Sequence, residues 1–276
     1  MKKRLLFMDL DGTLLNDEKQ ITAGNQEALN RVLERGHGVI ITTGRPLKSA
    51  MDQARKLELD RPGCYLIAYN GAVIYDWAEQ KQIFCRSLSH SAVFRAFDYA
   101  NAMGLHIQTY DMWKVLVEPR CDDSAVKRYC GLINMEYRVM EDVRKDLKEE
   151  PVKCLIIDYD EMDGLWDVYD WVCANMADDV DCFHSCAQYL EIVPKGMNKG
   201  EAVKMLCDMM QVSIEDAVAV GDAANDLTMI EVAGIGVAMA NGTEEVKKIA
   251  NYITERDNNH DGIAEVADKF FSEYVI

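Results

Sequence analysis

Strand-length apolar runs alternate with helix-length amphipathic stretches through about the first eighty residues, and this alternation constrains the fold more than any other feature. Residues 5–8 (Leu-Leu-Phe-Met), 39–41 (Val-Ile-Ile) and 65–68 (Tyr-Leu-Ile-Ala) read as buried strands closed by turn signals. Between the first two, Thr22 suits an N-cap, the helix runs to Glu34, and Gly36 stops it. Pro46 suits the first turn of a second helix, ending near Leu57. Strands joined through helices pair in parallel by right-handed crossovers. The expected class is therefore α/β, with a doubly wound, Rossmann-like parallel sheet.

The first run ends in Asp9-Leu10-Asp11-Gly12-Thr13. A strand that breaks at Gly12 brings both carboxylates to its C-terminal edge, where open α/β sheets bind ligands. Crowded carboxylates repel unless a cation binds or one of them is protonated. A hard, oxygen-seeking ion such as Mg2+ meets that need and commonly brings phosphate with it. The alternative reading of an Asp-Gly pair is a helix N-cap or an exposed acidic turn.

With 276 residues, 49% of them hydrophobic, the chain exceeds one average domain and suffices for a sizeable core. Its net charge of −17, from 30 basic and 47 acidic residues, disfavours nucleic acid and anionic membranes as partners. A phosphate approaching such a chain needs locally placed positive charge. Met1-Lys2-Lys3-Arg4 imitates the start of a signal peptide, but Asp9 and Asp11 interrupt the apolar run behind it. With no run of transmembrane length either, the expected location is cytoplasmic. The nine cysteines are odd in number and scattered, as free thiols would be. Cys182-Phe183-His184-Ser185-Cys186 lacks a second ligand pair at zinc spacing and reads better as alternation along a strand.

The middle of the chain has a different texture. A helix over 91–103, alternating segments at 105–109 and 114–118, a helix over 123–133, a strand over 152–157, a helix over 162–175 and a strand over 189–193 suggest an α+β module. It is expected over 85–188, inserted into an α/β core of residues 1–84 and 189–276, as a cap over the core's strand ends. Beyond Lys199 the doubly wound style resumes. Helices are expected at 200–210, 227–232, 243–250 and 262–271, and strands at 217–220 and 235–238.

Gly221-Asp222-Ala223-Ala224-Asn225-Asp226 follows a strand and precedes a helix, as the first motif does. Asp222 then lies at a strand's C-terminal edge with Asp226 a helical turn further on. Thr43, ending the second strand, offers a hydroxyl and a peptide N–H suited to phosphate oxygens, or to simple capping. Lys199 precedes a helix and supplies compact positive charge. Lys195 competes with it on spacing alone.

The set Asp9-Leu-Asp11-Gly-Thr13, Thr43-Gly44-Arg45, Lys199-Gly200 and Gly221-Asp222-Ala-Ala-Asn225-Asp226 resembles the four motifs of the haloacid dehalogenase superfamily. More narrowly it is similar to the Cof-type sugar-phosphate phosphatases, which carry a large α/β cap. The resemblance covers the chain in order and spacing, including the turn Asn70-Gly71-Ala72, and departs mildly at Ala223-Ala224. It implies Asp9 as the nucleophile that forms an aspartyl-phosphate, and Asp11 as general acid and then base. It implies Mg2+ held by Asp9, Asp11 (through its backbone carbonyl), Asp222 and Asp226, the last directly or behind the first ligands. Thr43, Gly44, Lys199 and Asn225 would bind or orient the phosphoryl group, which favours Lys199 over Lys195.

The implied substrate is a small phosphorylated metabolite, a sugar phosphate or similar, handled by a monomer or weak homo-oligomer. A phosphomutase of the phosphomannomutase type is the competing enzyme. It would need a basic cap, whereas this one carries Glu141-Asp142, Glu149-Glu150 and Asp178-Asp179. A phosphate-binding regulator is the non-enzymatic alternative, disfavoured by the presence of both Asp9 and Asp11. His106, Tyr110, Asp111, Trp113 and Tyr189 stand as candidates to line the cleft or to form the cap's own core.

Overall fold

The computed structural model describes residues 2–57, 61–159 and 164–273. The chain opens with β1 (Leu5–Met8), α1 (Ala23–Glu34), β2 (Gly38–Thr42), α2 (Leu47–Lys56), β3 (Cys64–Ala68), β4 (Val73–Asp76) and β5 (Lys81–Cys85). There follow α3 (His90–Ala102), β6 (His106–Tyr110), β7 (Lys114–Val117), α4 (Ser124–Ile133) and β8 (Glu136–Val139). Next come α5 (Val143–Asp146), β9 (Cys154–Ile157), α6 (Gly164–Asn175), β10 (Val180–Cys186) and β11 (Tyr189–Pro194). The chain ends with α7 (Lys199–Met209), β12 (Ala217–Gly221), α8 (Leu227–Val232), β13 (Ile235–Ala238), α9 (Glu244–Ile249), β14 (Tyr252–Ile253) and α10 (Gly262–Phe270). It divides into two compact units, residues 1–84 with 198–276, and residues 85–197.

The first unit is built on an eight-stranded sheet in the order β14-β13-β12-β1-β2-β3-β4-β5. From β14 to β3 all neighbours are parallel, and β4 returns antiparallel along β3. Continuous apolar runs such as Leu5–Met8 and Ala217–Gly221 are what a strand buried on both faces requires, and every residue of these two is buried. Leu5, Phe7, Ile40 and Ala219 pack in one core with Ala202 and Leu206 of α7 and Met229 and Ile230 of α8. Thr22 caps α1 as its sequence suggests, accepting from the Asn25 N–H. Pro46 sits one position outside α2, at its N-cap. The expected helix over 162–175 is seen from Gly164, and residues 162 and 163 lie outside the described ones.

In this order β1 lies between β2 and β12, the point at which the winding of the sheet reverses. Open α/β sheets bind ligands at the carboxyl ends of the strands flanking such a point. The first unit thereby selects the ends of β1 and β12.

The second unit has a six-stranded sheet, β10-β11-β9-β6-β7-β8, antiparallel except for β7 alongside β8. The core was expected to resume at residue 189, yet β11 (Tyr189–Pro194) hydrogen-bonds to both β9 and β10, so 189–197 belongs to the second unit. Cys182, His184 and Cys186 lie on β10, and each of the nine cysteines is a free thiol. Among the described residues, no helix is long and apolar enough to cross a membrane.

Candidate active site

The Asp9 N–H donates to the Val220 carbonyl (3.0 Å), and Met8 pairs in register with Val220. Asp9 and Asp222 therefore leave adjacent strands at the same edge of the sheet. After Asp9 the chain turns at Gly12, whose φ is +80°. Thr13 comes back to donate its hydroxyl to Asp222 Oδ1 (2.8 Å). Asn198 caps α7, which places Lys199 at the helix's first position. There the fully buried ammonium donates to Asp9 Oδ1 at 2.5 Å and to Asp226 Oδ1 at 2.6 Å. The second Asp226 oxygen accepts the peptide N–H groups of Asp222 (2.9 Å) and Ala223 (3.1 Å). Carboxylate oxygens of Asp9, Asp222 and Asp226 all lie within 4.8 Å of one another.

Burial is the dominant force on these groups. It lifts Asp9 from the usual carboxylate range to about 8, with the neighbouring Asp226 and Asp222 charges adding to it and Lys199 opposing. Burial likewise lifts Asp222 to about 6, against the Thr13 hydrogen bond. Burial alone would lower Lys199, but Asp226 and Asp9 overcome it and hold the ammonium charged. One buried cation thus stands among three carboxylates, two of which resist ionisation. A divalent cation would relieve that resistance, and oxygen donors suit a hard ion.

The fourth carboxylate is placed differently. The Asp11 side chain is gripped by the Arg45 guanidinium through both oxygens, at 2.6 Å each, and by Lys19 Nζ at 2.9 Å. Burial pushes this carboxyl up, but the hydrogen bonds and charges of Arg45 and Lys19 prevail and hold it below its usual value. Its side chain does not join the three-carboxylate cluster.

Thr43 and Gly44 follow β2 at the same sheet edge. Thr43 is buried, and its hydroxyl accepts the Arg45 N–H at 3.1 Å. Asn225 lies half-buried on the turn 224–226, next to Asp226. Lys195 belongs to the second unit, where its ammonium meets Asp181 at 2.7 Å, so it is Lys199 that reaches the carboxylates.

Among the other candidates, His106 and Tyr110 are buried inside the second unit. His106 contacts Asp123 and Gln108, and the Tyr110 hydroxyl joins Gln108 and Tyr129. Trp113 is 53% exposed, while Asp111 and Tyr189 are partly buried. Sequence reasoning gave no role to Arg45, Lys19 or Asn241, whose amide donates to the Gly12 carbonyl at 2.7 Å. Arg45 at least adjoins Thr43-Gly44, but no local pattern announces the other two.

Residues 6–266 match the family of haloacid dehalogenase-like hydrolases. The chain belongs to that family. Among its relatives is a Bacillus subtilis 5-amino-6-(5-phospho-D-ribitylamino)uracil phosphatase, 30% identical over 98% of each chain. Among solved structures, a haloacid dehalogenase-like hydrolase from Bacteroides thetaiotaomicron is 33% identical with a TM-score of 0.90, covering 98% of this chain and 100% of that one. A protein from Thermotoga maritima is 32% identical with a TM-score of 0.85, over 97% of each chain. This haloacid dehalogenase-like hydrolase is accordingly an enzyme of the phosphatase kind, with a buried aspartate cluster at its switch point.

Proposed function

We propose that the chain is a Mg2+-dependent phosphomonoesterase that works through an aspartyl-phosphate on Asp9. The observation that carries this reading is the buried Lys199 ammonium, 2.5 Å from Asp9 and 2.6 Å from Asp226, beside Asp222 at the sheet's switch point. The described bonds engage Asp9 and Asp222 through Oδ1, which leaves Oδ2 of each to nucleophilic attack or to a cation. Asp9, Asp222 and the Asp11 backbone carbonyl would hold the ion. Asp226, bound through both oxygens, would steady them from behind. When bound, the ion neutralises charge on the phosphoryl oxygens and draws them to the nucleophile.

Asp9 attacks phosphorus in line with the departing alcohol. Lys199, Thr43, Gly44 and Asn225 surround the transferring group and offset its charge. Asp11 gives a proton to the leaving oxygen, and then takes one from the water that hydrolyses the intermediate. Its grip by Arg45 and Lys19 favours the anion, the form that serves the second half. A guanidinium holds phosphate in the same two-pronged way, so a phosphoryl group that engages Arg45 would release Asp11 to take up, from solvent or from a monoanionic substrate phosphate, the proton that it then passes to the leaving oxygen.

The substrate is a small phosphorylated metabolite, a sugar or polyol phosphate. The Bacillus relative named for a phosphoribityl compound supports that class. Phosphate release over a panel of such metabolites, with Mg2+ and with EDTA, tests the reading. Wild type should release phosphate only with the metal, and Asp9→Asn should lose at least about 1,000-fold in rate. Retained activity in the variant would overturn the role of Asp9.

A further inference from the structure

Three consecutive residues at the end of β3 have left-handed backbones: Tyr69 (φ 51°), Asn70 (φ 54°) and Gly71 (φ 108°). Glycine adopts such angles freely and asparagine tolerates them, but tyrosine is strained there. Strain of this kind persists only where surrounding structure holds it, and it gathers at functional sites.

Its contacts show what holds it. The Asn70 N–H donates to the Thr43 carbonyl (3.1 Å), the Tyr69 N–H to the Arg45 carbonyl (3.0 Å), and the Thr43 N–H to the Ile67 carbonyl (2.8 Å). The segment after β2 is thus laced to the turn along its backbone. The buried Asn70 side chain lies against Gly44, where an added Cβ would stand 2.9 Å from Asn70 Oδ1 and 3.0 Å from Nδ2. On its other side the turn abuts the start of α7. A Cβ on Gly71 would fall 2.4 Å from the Asn198 carbonyl, which accepts the Ala202 N–H in the helix's first turn. Lys199 is the next residue.

One strained turn therefore touches both the Thr43-Gly44 loop and the helix start that presents Lys199. We propose that Asn70 is a positioning residue for the phosphoryl-binding loop, an inference that rests on the phosphatase reading of those residues. The N–H groups of Asn70 and Tyr69 turn the Thr43 and Arg45 carbonyls toward themselves. The negative ends of those two dipoles then face the turn and not an incoming anion. The Asn70 amide packs on Gly44 and holds the loop in that arrangement. Asparagine answers both needs at this position. Alanine is strained at this φ and lacks the amide, and glycine accepts the φ but brings no side chain.

Asn70→Gly and Asn70→Ala, compared with wild type, test the assignment by three measurements. These are Mg2+-dependent hydrolysis of 4-nitrophenyl phosphate, thermal unfolding, and amide exchange in the peptide spanning residues 39–46. Asn70→Gly should keep its unfolding midpoint within about 3 °C of wild type. Its kcat should fall about 10- to 100-fold with a smaller change in KM, as expected of misplaced groups. Exchange in 39–46 should rise. Asn70→Ala should show the same losses together with a lower midpoint. Asn70→Gly with wild-type kcat and unchanged exchange would overturn the proposal, as would a loss of activity that merely follows a collapse in midpoint. If wild type itself hydrolyses nothing, the phosphatase reading fails, and the exchange comparison still decides whether Asn70 holds the loop.

Discussion

At the scale of single residues, the site concentrates unfavourable charge burial in a few groups. Unfolded, Asp9 ionises near its ordinary 3.8, whereas in the fold it does so near 8. Between those values the folded protein keeps a proton that the unfolded chain has released, so stability falls as pH rises. Asp222, at about 6 in the fold, contributes with the same sign over the lower part of that window. In EDTA, wild type should therefore lose stability relative to Asp9→Asn as pH is raised from about 5 to about 8. Mg2+ should restore more stability at the upper end, where the cluster must ionise. Thermal unfolding of both proteins across that range measures the difference, and a constant gap would contradict the assigned charge states. Asp9, Asp222 and Lys199 were legible in the sequence because each directly follows an apolar run or opens a helix. The pairing of Asp11 with Arg45 and Lys19 was not. It depends on loops converging from different elements, and no spacing records which cation reaches which oxygen.

At the scale of elements, a second buried ion pair lies outside the site. Lys153 and Glu191 meet at 3.1 Å within the second unit, and both are almost wholly shielded from solvent. Removing Glu191 takes a charge partner from a buried ammonium, so Glu191→Leu should destabilise the fold, by up to about 3–5 kcal/mol. Combining it with Lys153→Met should recover most of that loss, because replacing a buried pair by apolar groups is often neutral. Urea unfolding of the two variants reads this directly, and equal losses in both would contradict it. The elements themselves were unequally legible. β1, β2 and β3 announce themselves because a strand covered on both faces must be apolar throughout. β5 and β8 sit at sheet edges, are largely exposed, and carry Lys81, Gln82, Glu136 and Arg138, so neither is apolar throughout. β11 was legible as the strand that closes the inserted module, yet the boundary at residue 189 cut it off, and its pairing with β9 and β10 returns it to the second unit.

At the scale of the whole molecule, a chain of net charge −17 sets one buried lysine among carboxylates drawn from two distant parts of its sequence. The parallel sheet makes this possible, since it seats β1 beside β12 across more than two hundred residues of chain. The family and the relatives named as phosphatases place the chain among hydrolases of that kind, and the fold carries an aspartate cluster at its switch point. The central claim is that phosphorus passes through a bond to Asp9. It is tested most directly by quenching the intact enzyme in acid during turnover of a phosphomonoester, reducing with borohydride, and reading the peptide containing residue 9 by mass. An acyl phosphate is reduced where a free carboxylate is not, so the account predicts homoserine at position 9, dependent on substrate and Mg2+. Steady phosphate release with Asp9 recovered unaltered would contradict it.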